Sequence, residues 1–406
     1  MGYFSGIDIK YLFHHNNSIH MIIRRLDMSK LFDFVKCLGL SAFIMAAGAA
    51  HGATYVYVSN AEDGNIGMYA MESDGTLKPG PRVPAGKIVM PMAVSPDKRF
   101  LFAAIRTKPF SAVTYAIDPK SGTLKELSRG PLAESLPYIS VDKTGRFLLG
   151  AGYGGNVISV NTIGKDGQVG IPQQVIPTAR NPHCIITDRT NHYVYVPHLG
   201  SDQIFQFVFD ETTGKLTANT PPVVQIKSGY GPRHLIISGD NRFAYLVTEL
   251  KAMVITLAID QKTGLLSVVS EVSALPPGSK LKPGAPRVPV GMGEPERDVS
   301  NDIWASDLHL TPDGKFLYVA ERTSSMLAAF SVDGSTGKLT YLSSTPVEKQ
   351  PRGFRIDPNG KYIVVSGELS DTISVYKIET NGALTMLKKY PTGKDSNWVE
   401  IVSFDK

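Results

Sequence analysis

Cysteine is scarce in this chain of 406 residues, which holds two, Cys37 and Cys184. Cys37 lies in an N-terminal stretch that we predict to be cleaved off, so the mature chain keeps Cys184 alone. A single cysteine excludes an intramolecular disulfide and a CxxC redox or zinc site. We therefore predict that Cys184 serves as a small apolar strand residue.

A strong charge of one sign is also missing. The formal net charge is +5, and without residues 1–53 the chain has 37 basic against 34 acidic residues, or +3. So mild and dispersed a charge argues against a nucleic-acid partner. Zinc, P-loop and dinucleotide motifs are absent, as is the Gly-x-Ser-x-Gly elbow. The sequence therefore predicts no metal and no cofactor.

The apolar run at 38–50, "LGLSAFIMAAGAA", is shorter than the roughly 20 residues of a transmembrane helix. It follows Lys30 and Lys36 and ends in small residues, as secretory signal peptides do, with cleavage expected between Ala49 and Ala53. We expect residues 1–53 to be an upstream extension plus this signal, with Met28 as the natural start. The predicted location is periplasmic or secreted, without stable membrane insertion after cleavage. An uncleaved anchor is the alternative.

After Thr54, short strand signals alternate with turns, and no long 3.6-residue periodicity appears. A turn that contains glycine and ends in Leu or Val recurs seven times, and glycine suits a hairpin position with positive φ. The copies are Asp74–Leu77, Ser121–Leu124, Asp166–Val169, Thr213–Leu216, Thr263–Leu266, Thr336–Leu339 and Asn381–Leu384. Their last residues are 47, 45, 47, 50, 73 and 45 positions apart. This period predicts an all-β, seven-bladed β-propeller with four-stranded antiparallel blades.

The two ends of the repeat region predict a closed ring. The first unit lacks its leading strand, whereas "NWVEIVSF", residues 397–404, is a strand left over after the seventh turn. We expect this strand to complete the first blade, so that no sheet edge stays open. Residues 54–406 are thus predicted to be a single propeller domain. The Pro- and Gly-rich residues 274–302 are expected to form a long loop over one face.

Polar residues gather at two places in the later blades, the start of the first strand and the end of the second. In a propeller, both places lie near the central channel. The first group is His183, Arg233, His234, Asp307, His309 and Arg352, and the second is His198, Glu249, Glu321, Arg322 and Glu368. A concave mouth with a few convergent polar groups is the usual place for a small ligand. His309 has an alternative role, that of tying blades together by hydrogen bonds.

From Thr54 to its C-terminus the sequence resembles the seven-bladed propeller lactonases. This family includes propeller-type 6-phosphogluconolactonases and a fungal carboxy-muconate lactonising enzyme. The resemblance rests on "NPHCIITD", "GPRHLIIS", "TEL" and "AERTSS" in combination. It implies the catalytic residues His183, Arg233, Glu249 and Arg322. From their places near the channel mouth, we expect the substrate contacts to be His234, His198, Glu321, His309 and Arg352. The sequence departs from the family at Glu321, usually Asn, and at His198, usually Asp.

The resemblance implies hydrolysis of a sugar lactone to the aldonic acid, with a small-molecule lactone or sugar acid as partner. The two arginines suit a developing oxyanion, or a carboxylate or phosphate of the substrate. They should also lower the pKa of Glu249, whereas the unperturbed pKa of a histidine lies nearer working pH. This favours His183 as the base. For an exported protein we favour glucono-1,5-lactone over its 6-phosphate. The alternatives are a non-catalytic periplasmic or surface binding propeller and a muconate cycloisomerase. The oligomeric state stays open.

Overall fold

The computed structural model describes residues 11–15, 18–22, 52–287 and 298–404. The chain divides into two units, Met1–Ala50 and His51–Lys406. In the first unit, strands β1 (Tyr11–His15) and β2 (Ser18–Ile22) pair as an antiparallel two-stranded sheet. The predicted start at Met28, the apolar run at 38–50 and residues 288–297 of the predicted loop lie outside the described residues. Within the described ranges, no helix has the length and apolar character to cross a membrane.

The second unit consists of seven antiparallel four-stranded sheets, as the repeats predicted, and each blade runs from its inner to its outer strand. Blade one comprises β30 (Ser396–Ser403), β3 (Thr54–Asn60), β4 (Asn65–Met71) and β5 (Leu77–Pro84), and blade two comprises β6 (Val89–Val94), β7 (Phe100–Ile105), β8 (Ser111–Ile117) and β9 (Leu124–Pro131). Blade three comprises β10 (Tyr138–Val141), β11 (Phe147–Gly152), β12 (Val157–Ile163) and β13 (Val169–Pro177), and blade four comprises β14 (Ile186–Thr187), β15 (Tyr193–His198), β16 (Gln203–Asp210) and β17 (Lys215–Gln225). Blade five comprises β18 (Pro232–Ile237), β19 (Phe243–Thr248), β20 (Met253–Ile259) and β21 (Leu266–Ser273). Blade six comprises β22 (Ala305–Leu310), β23 (Phe316–Glu321), β24 (Met326–Val332) and β25 (Leu339–Pro346), and blade seven comprises β26 (Phe354–Ile356), β27 (Tyr362–Val365), β28 (Thr372–Ile378) and β29 (Leu384–Pro391).

The ring closes in blade one, which confirms the prediction for the C-terminal strand. Strand β30 pairs antiparallel with β3, from Thr54 opposite Ser403 to Asn60 opposite Ser396. The hydroxyl oxygens of Thr54 and Ser403 lie 2.8 Å apart. Because the last strand completes the first sheet, β3 is paired on both sides and the ring has no open edge where the chain begins and ends.

Burial falls from the middle strands of each blade to the outer one. The second strand of blade two, "FLFAAI" at Phe100–Ile105, is buried throughout, because both of its faces pack against neighbouring sheets. The outer strand Val169–Pro177 instead alternates between buried or half-buried and exposed residues. Cys184, at the inner edge of blade four, is fully buried and has a free thiol.

Each of the seven recurring glycines packs against an aromatic ring at the start of the preceding blade's second strand. All seven have positive φ, between 68° and 84°. The pairs are Gly75 with Tyr362, Gly122 with Tyr55, Gly167 with Phe100, Gly214 with Phe147, Gly264 with Tyr193, Gly337 with Phe243 and Gly382 with Phe316. A Cβ atom would collide with the ring in every pair. Glycine is therefore required both by the backbone conformation and by close packing between blades.

Candidate active site

Bulges in the inner strands of the later blades turn neighbouring side chains toward the channel. In blade five, the pairing shifts by one residue between Pro232 and Leu235, and the two residues between them are Arg233 and His234. Blade six has the same shift between Ala305 and Leu308. Consecutive residues of a regular strand point to opposite faces, whereas a bulge re-aims one of them. Arg233 and His234 therefore both reach one polar cluster, which also contains Glu249 and Arg322.

A second set of side chains comes from the position directly after the second strand of a blade. Glu249 follows β19 in blade five, and Arg322 follows β23 in blade six. The same position holds Tyr153 in blade three and Arg106 in blade two. Equivalent positions in a propeller lie around one mouth, so this offset identifies the side chains that surround it.

The centre of the cluster is a buried carboxylate between two guanidinium groups. Arg233 Nε donates to Glu249 Oε2 at 2.7 Å, and Arg322 Nη2 donates to the same oxygen at 2.9 Å. Burial opposes ionisation of Glu249, but the charges of Arg322 and Arg233 outweigh it and hold the pKa of Glu249 below its ordinary value. Two cations and one anion leave an excess positive charge, which suits an anionic ligand or a developing oxyanion.

Trp304 supports this ion cluster from the loop before β22. Its indole Nε1 donates to Glu249 Oε1 at 3.2 Å. The guanidinium carbon of Arg322 lies 3.7 Å from the Trp304 ring centroid, and that of Arg287 lies 4.4 Å away. These cation–π contacts fix the ring beside the carboxylate. Trp304 was not predicted as a site residue, because no strand pattern marks the loop that carries it.

His183 lies next to the cluster, and one of its ring nitrogens is buried without a hydrogen-bond partner among the described residues. Its backbone N–H donates to the Pro197 carbonyl at 3.0 Å, whereas its Nδ1 is buried without a hydrogen-bond partner among the described residues. The ring centroid is 5.3 Å from that of His234 and 5.6 Å from that of Tyr153. Burial, and then the charge of Arg233, hold the pKa of His183 well below its ordinary value. From the sequence, His183 was expected to keep the ordinary pKa of a histidine. That expectation is wrong, because the ring is buried beside cations.

His234 is enclosed between charged partners. Its Nε2 lies 3.1 Å from Arg233 Nη1, and its Nδ1 lies 2.9 Å from Asp307 Oδ1. The other oxygen of Asp307 lies 3.1 Å from His309 Nε2. His309 thus contacts Asp307 and the ring of Phe354, in agreement with the alternative role of tying blades together.

Arg352 and Arg106 extend the cationic surface toward blades seven and two. Arg352 Nη1 makes a long contact of 3.4 Å to Glu368, and its Nε is buried without a partner among the described residues. Burial, and then the charge of Arg352, lower the pKa of Arg233. Arg106 donates to Ser135 Oγ at 3.0 Å. Arg106 was not among the predicted site residues, although it directly follows the second strand of its blade, as Glu249 does.

The structure does not bring His198 and Glu321 into the cluster. His198 is the last residue of β15, and its ring packs 4.4 Å from the ring of Phe205. Glu321 is the last residue of β23, where it accepts hydrogen bonds from the backbone N–H groups of Trp304 and Ser324. Both precede the mouth position by one residue, and strand side chains alternate between faces. The geometry gives neither a place among the ligand contacts.

Three buried imidazoles make stability dependent on pH. Burial lowers the pKa of His198 to about 4 and that of His234 to about 3, and it lowers that of His183 as well. In the unfolded chain these histidines take up protons near pH 6.5, whereas in the folded chain they stay neutral. The free energy of unfolding therefore decreases as the pH falls below 6.5. We expect a loss of about 2 kcal/mol per imidazole at pH 5. Urea unfolding at pH 7.5 and pH 5 measures it.

The control for this prediction is His198→Phe, which replaces one imidazole by an apolar ring against Phe205. This variant should lose about a third of the pH dependence, because one of three imidazoles is gone. Equal unfolding midpoints at the two pH values in the wild type would contradict the prediction.

Among the described residues, no group of three or more His, Cys, Asp or Glu side chains is arranged to hold a metal ion. The side chains gathered at the mouth are guanidinium groups, one shared carboxylate and neutral imidazoles. Such a set can stabilise negative charge on an oxygen atom and accept a proton from water.

Comparison with known proteins gives a consistent result. Residues 55–401 match the family model described as "Lactonase, 7-bladed beta-propeller". A Serratia proteamaculans protein named 6-phosphogluconolactonase is 38% identical over 351 residues, which cover 86% of this chain and 98% of that protein. A protein of the same name from Pectobacterium carotovorum is 34% identical over 351 residues, covering 86% and 99%.

Among solved structures, the periplasmic gluconolactonase PpgL of Pseudomonas aeruginosa is similar to this chain with a TM-score of 0.76. The two are 27% identical, and the match covers 87% of this chain and 99% of PpgL. The similarity therefore extends over the whole propeller.

Proposed function

The chain belongs to the seven-bladed β-propeller lactonases, and from that membership we propose that it hydrolyses the ring ester of a sugar lactone to the aldonic acid. One observation supports a location for this reaction in the propeller. Two buried arginines share the carboxylate of Glu249, and among the described residues each keeps one terminal nitrogen without an acceptor.

The hydrogen bonds of the two guanidinium groups show which nitrogens have no acceptor among the described residues. Arg233 uses Nε for Glu249 and Nη1 for His234 and the Ser306 carbonyl. Arg322 uses Nε for the Trp304 carbonyl at 3.1 Å and Nη2 for Glu249. Arg233 Nη2 and Arg322 Nη1 thus have no acceptor in the described part of the chain. We assign them to the lactone carbonyl oxygen, which becomes an oxyanion when water adds.

We assign the proton transfer to His183 rather than Glu249. The Oε2 atom of Glu249 already accepts from both arginines, and its lowered pKa makes the carboxylate a weak base. The pKa of His183 is lowered as well, so the two groups differ chiefly in their hydrogen bonds: among the described residues, the Nδ1 atom of His183 has no partner. The neutral imidazole can therefore accept a proton there. Glu249 then serves to hold the two guanidinium groups in place.

The proposed reaction has two steps. In the first, a water oxygen bonds to the carbonyl carbon, one water proton moves to His183 Nδ1, and the carbonyl oxygen becomes an oxyanion beside Arg233 and Arg322. In the second, the carbonyl re-forms and the bond between this carbon and the ring oxygen breaks. The ring oxygen takes the proton from His183 and leaves as a hydroxyl. The product is the open aldonic acid, and no other reactant is consumed.

We propose glucono-1,5-lactone, or another unphosphorylated sugar lactone, as the substrate of an exported protein. The apolar run at 38–50 predicts export, and the similar protein PpgL is described as a periplasmic gluconolactonase. Phosphorylated sugar lactones, by contrast, are mainly cytoplasmic metabolites. A periplasmic or secreted location and an unphosphorylated substrate thus support each other.

The test is acid release in a pH-stat, with protein starting near Thr54 and glucono-1,5-lactone or its 6-phosphate as substrate. A blank without enzyme is essential because these lactones open spontaneously. We expect turnover above the blank, and a loss of about 10²-fold in kcat for His183→Gln, because glutamine cannot take a proton.

The pH profile adds a check on the assignment of the base. Because the pKa of His183 is depressed, kcat/KM should stay level from pH 7.5 to about pH 5.5. A decline with a midpoint near 6.5 would contradict the neutral buried imidazole. Rates equal to the blank with both lactones would overturn the proposed substrates and favour a carboxylated muconate as the substrate. Failure there as well would favour a non-catalytic binding propeller.

A further inference from the structure

His234 was expected to contact the substrate, but neither ring nitrogen is free to do so. Every N–H of a guanidinium group is a donor, so the His234 Nε2 atom beside Arg233 Nη1 must be an acceptor. The proton of the neutral ring is then on Nδ1, which donates to Asp307 Oδ1 at 2.9 Å. The tautomer is fixed from both sides.

Asp307 is itself held on all sides. Its Oδ1 atom accepts from the backbone N–H of Leu308 at 3.0 Å, and its Oδ2 atom lies 3.1 Å from His309 Nε2 and 3.4 Å from the backbone N–H of Phe354. The carboxylate bridges blades six and seven and receives the His234 ring from blade five. Such a fully paired buried carboxylate is a rigid anchor.

Aromatic rings restrict the remaining motion of His234. Its ring centroid lies 5.0 Å from that of Tyr138 in blade three and 6.0 Å from that of Trp398 in blade one. Arg233 Nη1 also donates to the Ser306 carbonyl in the next blade. Three acceptors from three different residues thus determine the rotation of the guanidinium group.

We propose that His234, oriented by Asp307, is a positioning residue that turns the Arg233 guanidinium so that Nη2 faces the bound lactone. This inference rests on the proposed function of Arg233 as an oxyanion donor. His234 occupies Nη1, Glu249 occupies Nε, and the remaining nitrogen is left for the ligand. A displacement of about 1 Å in such a donor costs rate rather than binding, because the bond strengthens in the transition state.

Two variants of His234 separate positioning from packing. His234→Gln keeps an acceptor for Arg233 and a donor for Asp307, so kcat should stay within about 5-fold of the wild type. His234→Leu keeps the bulk but removes both hydrogen bonds, so kcat should fall at least about 30-fold while KM changes less than about 3-fold. Thermal unfolding of both variants verifies that they fold, and His192→Gln, at an exposed histidine outside the cluster, serves as the control.

Several results would overturn the inference. A kcat of His234→Leu within about 3-fold of the wild type would show that the chain of hydrogen bonds does not set the rate. Equal losses in His234→Gln and His234→Leu, with both folded, would indicate that the imidazole itself reacts.

A second measurement does not depend on turnover. Histidine ring ¹⁵N shifts, assigned with His234→Gln, should show a neutral ring protonated at Nδ1 from pH 5 to 8. Protonation at Nε2, or a charged ring, would overturn the inference. A wild type without lactonase activity would instead refute the proposed function and leave this spectroscopic result to decide on the positioning role.

Discussion

Arg322→Met should lower kcat/KM for the lactone by about 10²–10³-fold while changing the free energy of unfolding by less than about 1 kcal/mol. The loss in rate follows from the removal of a donor to the developing oxyanion. Arg322 Nη1 is the nitrogen without an acceptor in the part of the chain that the structure describes, and the guanidinium carbon lies 3.7 Å from the Trp304 ring centroid. Substrate binding should weaken less than turnover, because the ground-state carbonyl carries little charge.

The small change in stability follows from the charge count of the cluster. Two buried guanidinium groups share the carboxylate of Glu249, so removal of Arg322 leaves a complete pair with Arg233. Replacing a buried charge by an apolar side chain of similar length is often neutral when the remaining charges are paired. The methionine side chain can pack against the Trp304 ring in place of the guanidinium.

Glu249→Gln is the matched control, because it removes the shared anion instead. Two buried guanidinium groups then face each other unpaired, and we expect a loss of about 3–5 kcal/mol in stability together with the loss of activity. Urea unfolding and the pH-stat assay measure the two effects. Both tryptophans, Trp304 and Trp398, lie at the channel, so their fluorescence can report whether ligand still binds. Arg322→Met with normal turnover would refute the role of this nitrogen.

Gly337→Ala should destabilise the propeller by about 3 kcal/mol. Gly337 has a φ of 71°, and an added Cβ would lie 2.6 Å from a ring carbon of Phe243 in the preceding blade. The left-handed conformation costs an L-residue roughly 1–2 kcal/mol, and overlap with a packed ring adds roughly 1–3 kcal/mol. Neither blade can move away alone, because each sheet is wedged between two others.

Gly314→Ala isolates the backbone cost. Gly314 is also in blade six with a φ of 72°, but an added Cβ would meet nothing within 4 Å. We expect a loss of about 1 kcal/mol for this variant, so the difference between the two measures the contact between blades. Urea unfolding gives both values. Equal effects of the two substitutions would refute the packing role of the recurring glycines.

The sequence contained enough information for the fold because its repeated signals are local. Each Gly-containing turn lies within one hairpin, and the leftover strand at 397–404 had no partner except in blade one. Positions in the site were harder to predict. His198 and Glu321 were chosen at the end of a strand, yet the mouth begins one residue later, at Glu249 and its equivalents, and one residue reverses the facing of a side chain.

The rest of the site depends on contacts between distant segments. Trp304 lies in a loop without periodicity, so its bond to Glu249 Oε1 appears only in three dimensions. The lowered pKa of His183 is equally non-local, because burial by several blades and the charge of Arg233 cause it. A bulge that brings both Arg233 and His234 into the cluster likewise cannot be read from a strand pattern, which assigns neighbours to opposite faces.

The glycine–aromatic contacts also bear on whether the fold depends on which blade comes first along the chain. Each glycine packs on the blade before it, and the last link, Gly75 on Tyr362, joins blade one to blade seven in the same way as all the others. Thr54 lies opposite Ser403, so the two ends of the propeller are neighbours. No blade is structurally the first. A circularly permuted chain, joined at these ends and opened at an exposed outer turn, would retain every inter-blade contact and the whole channel mouth.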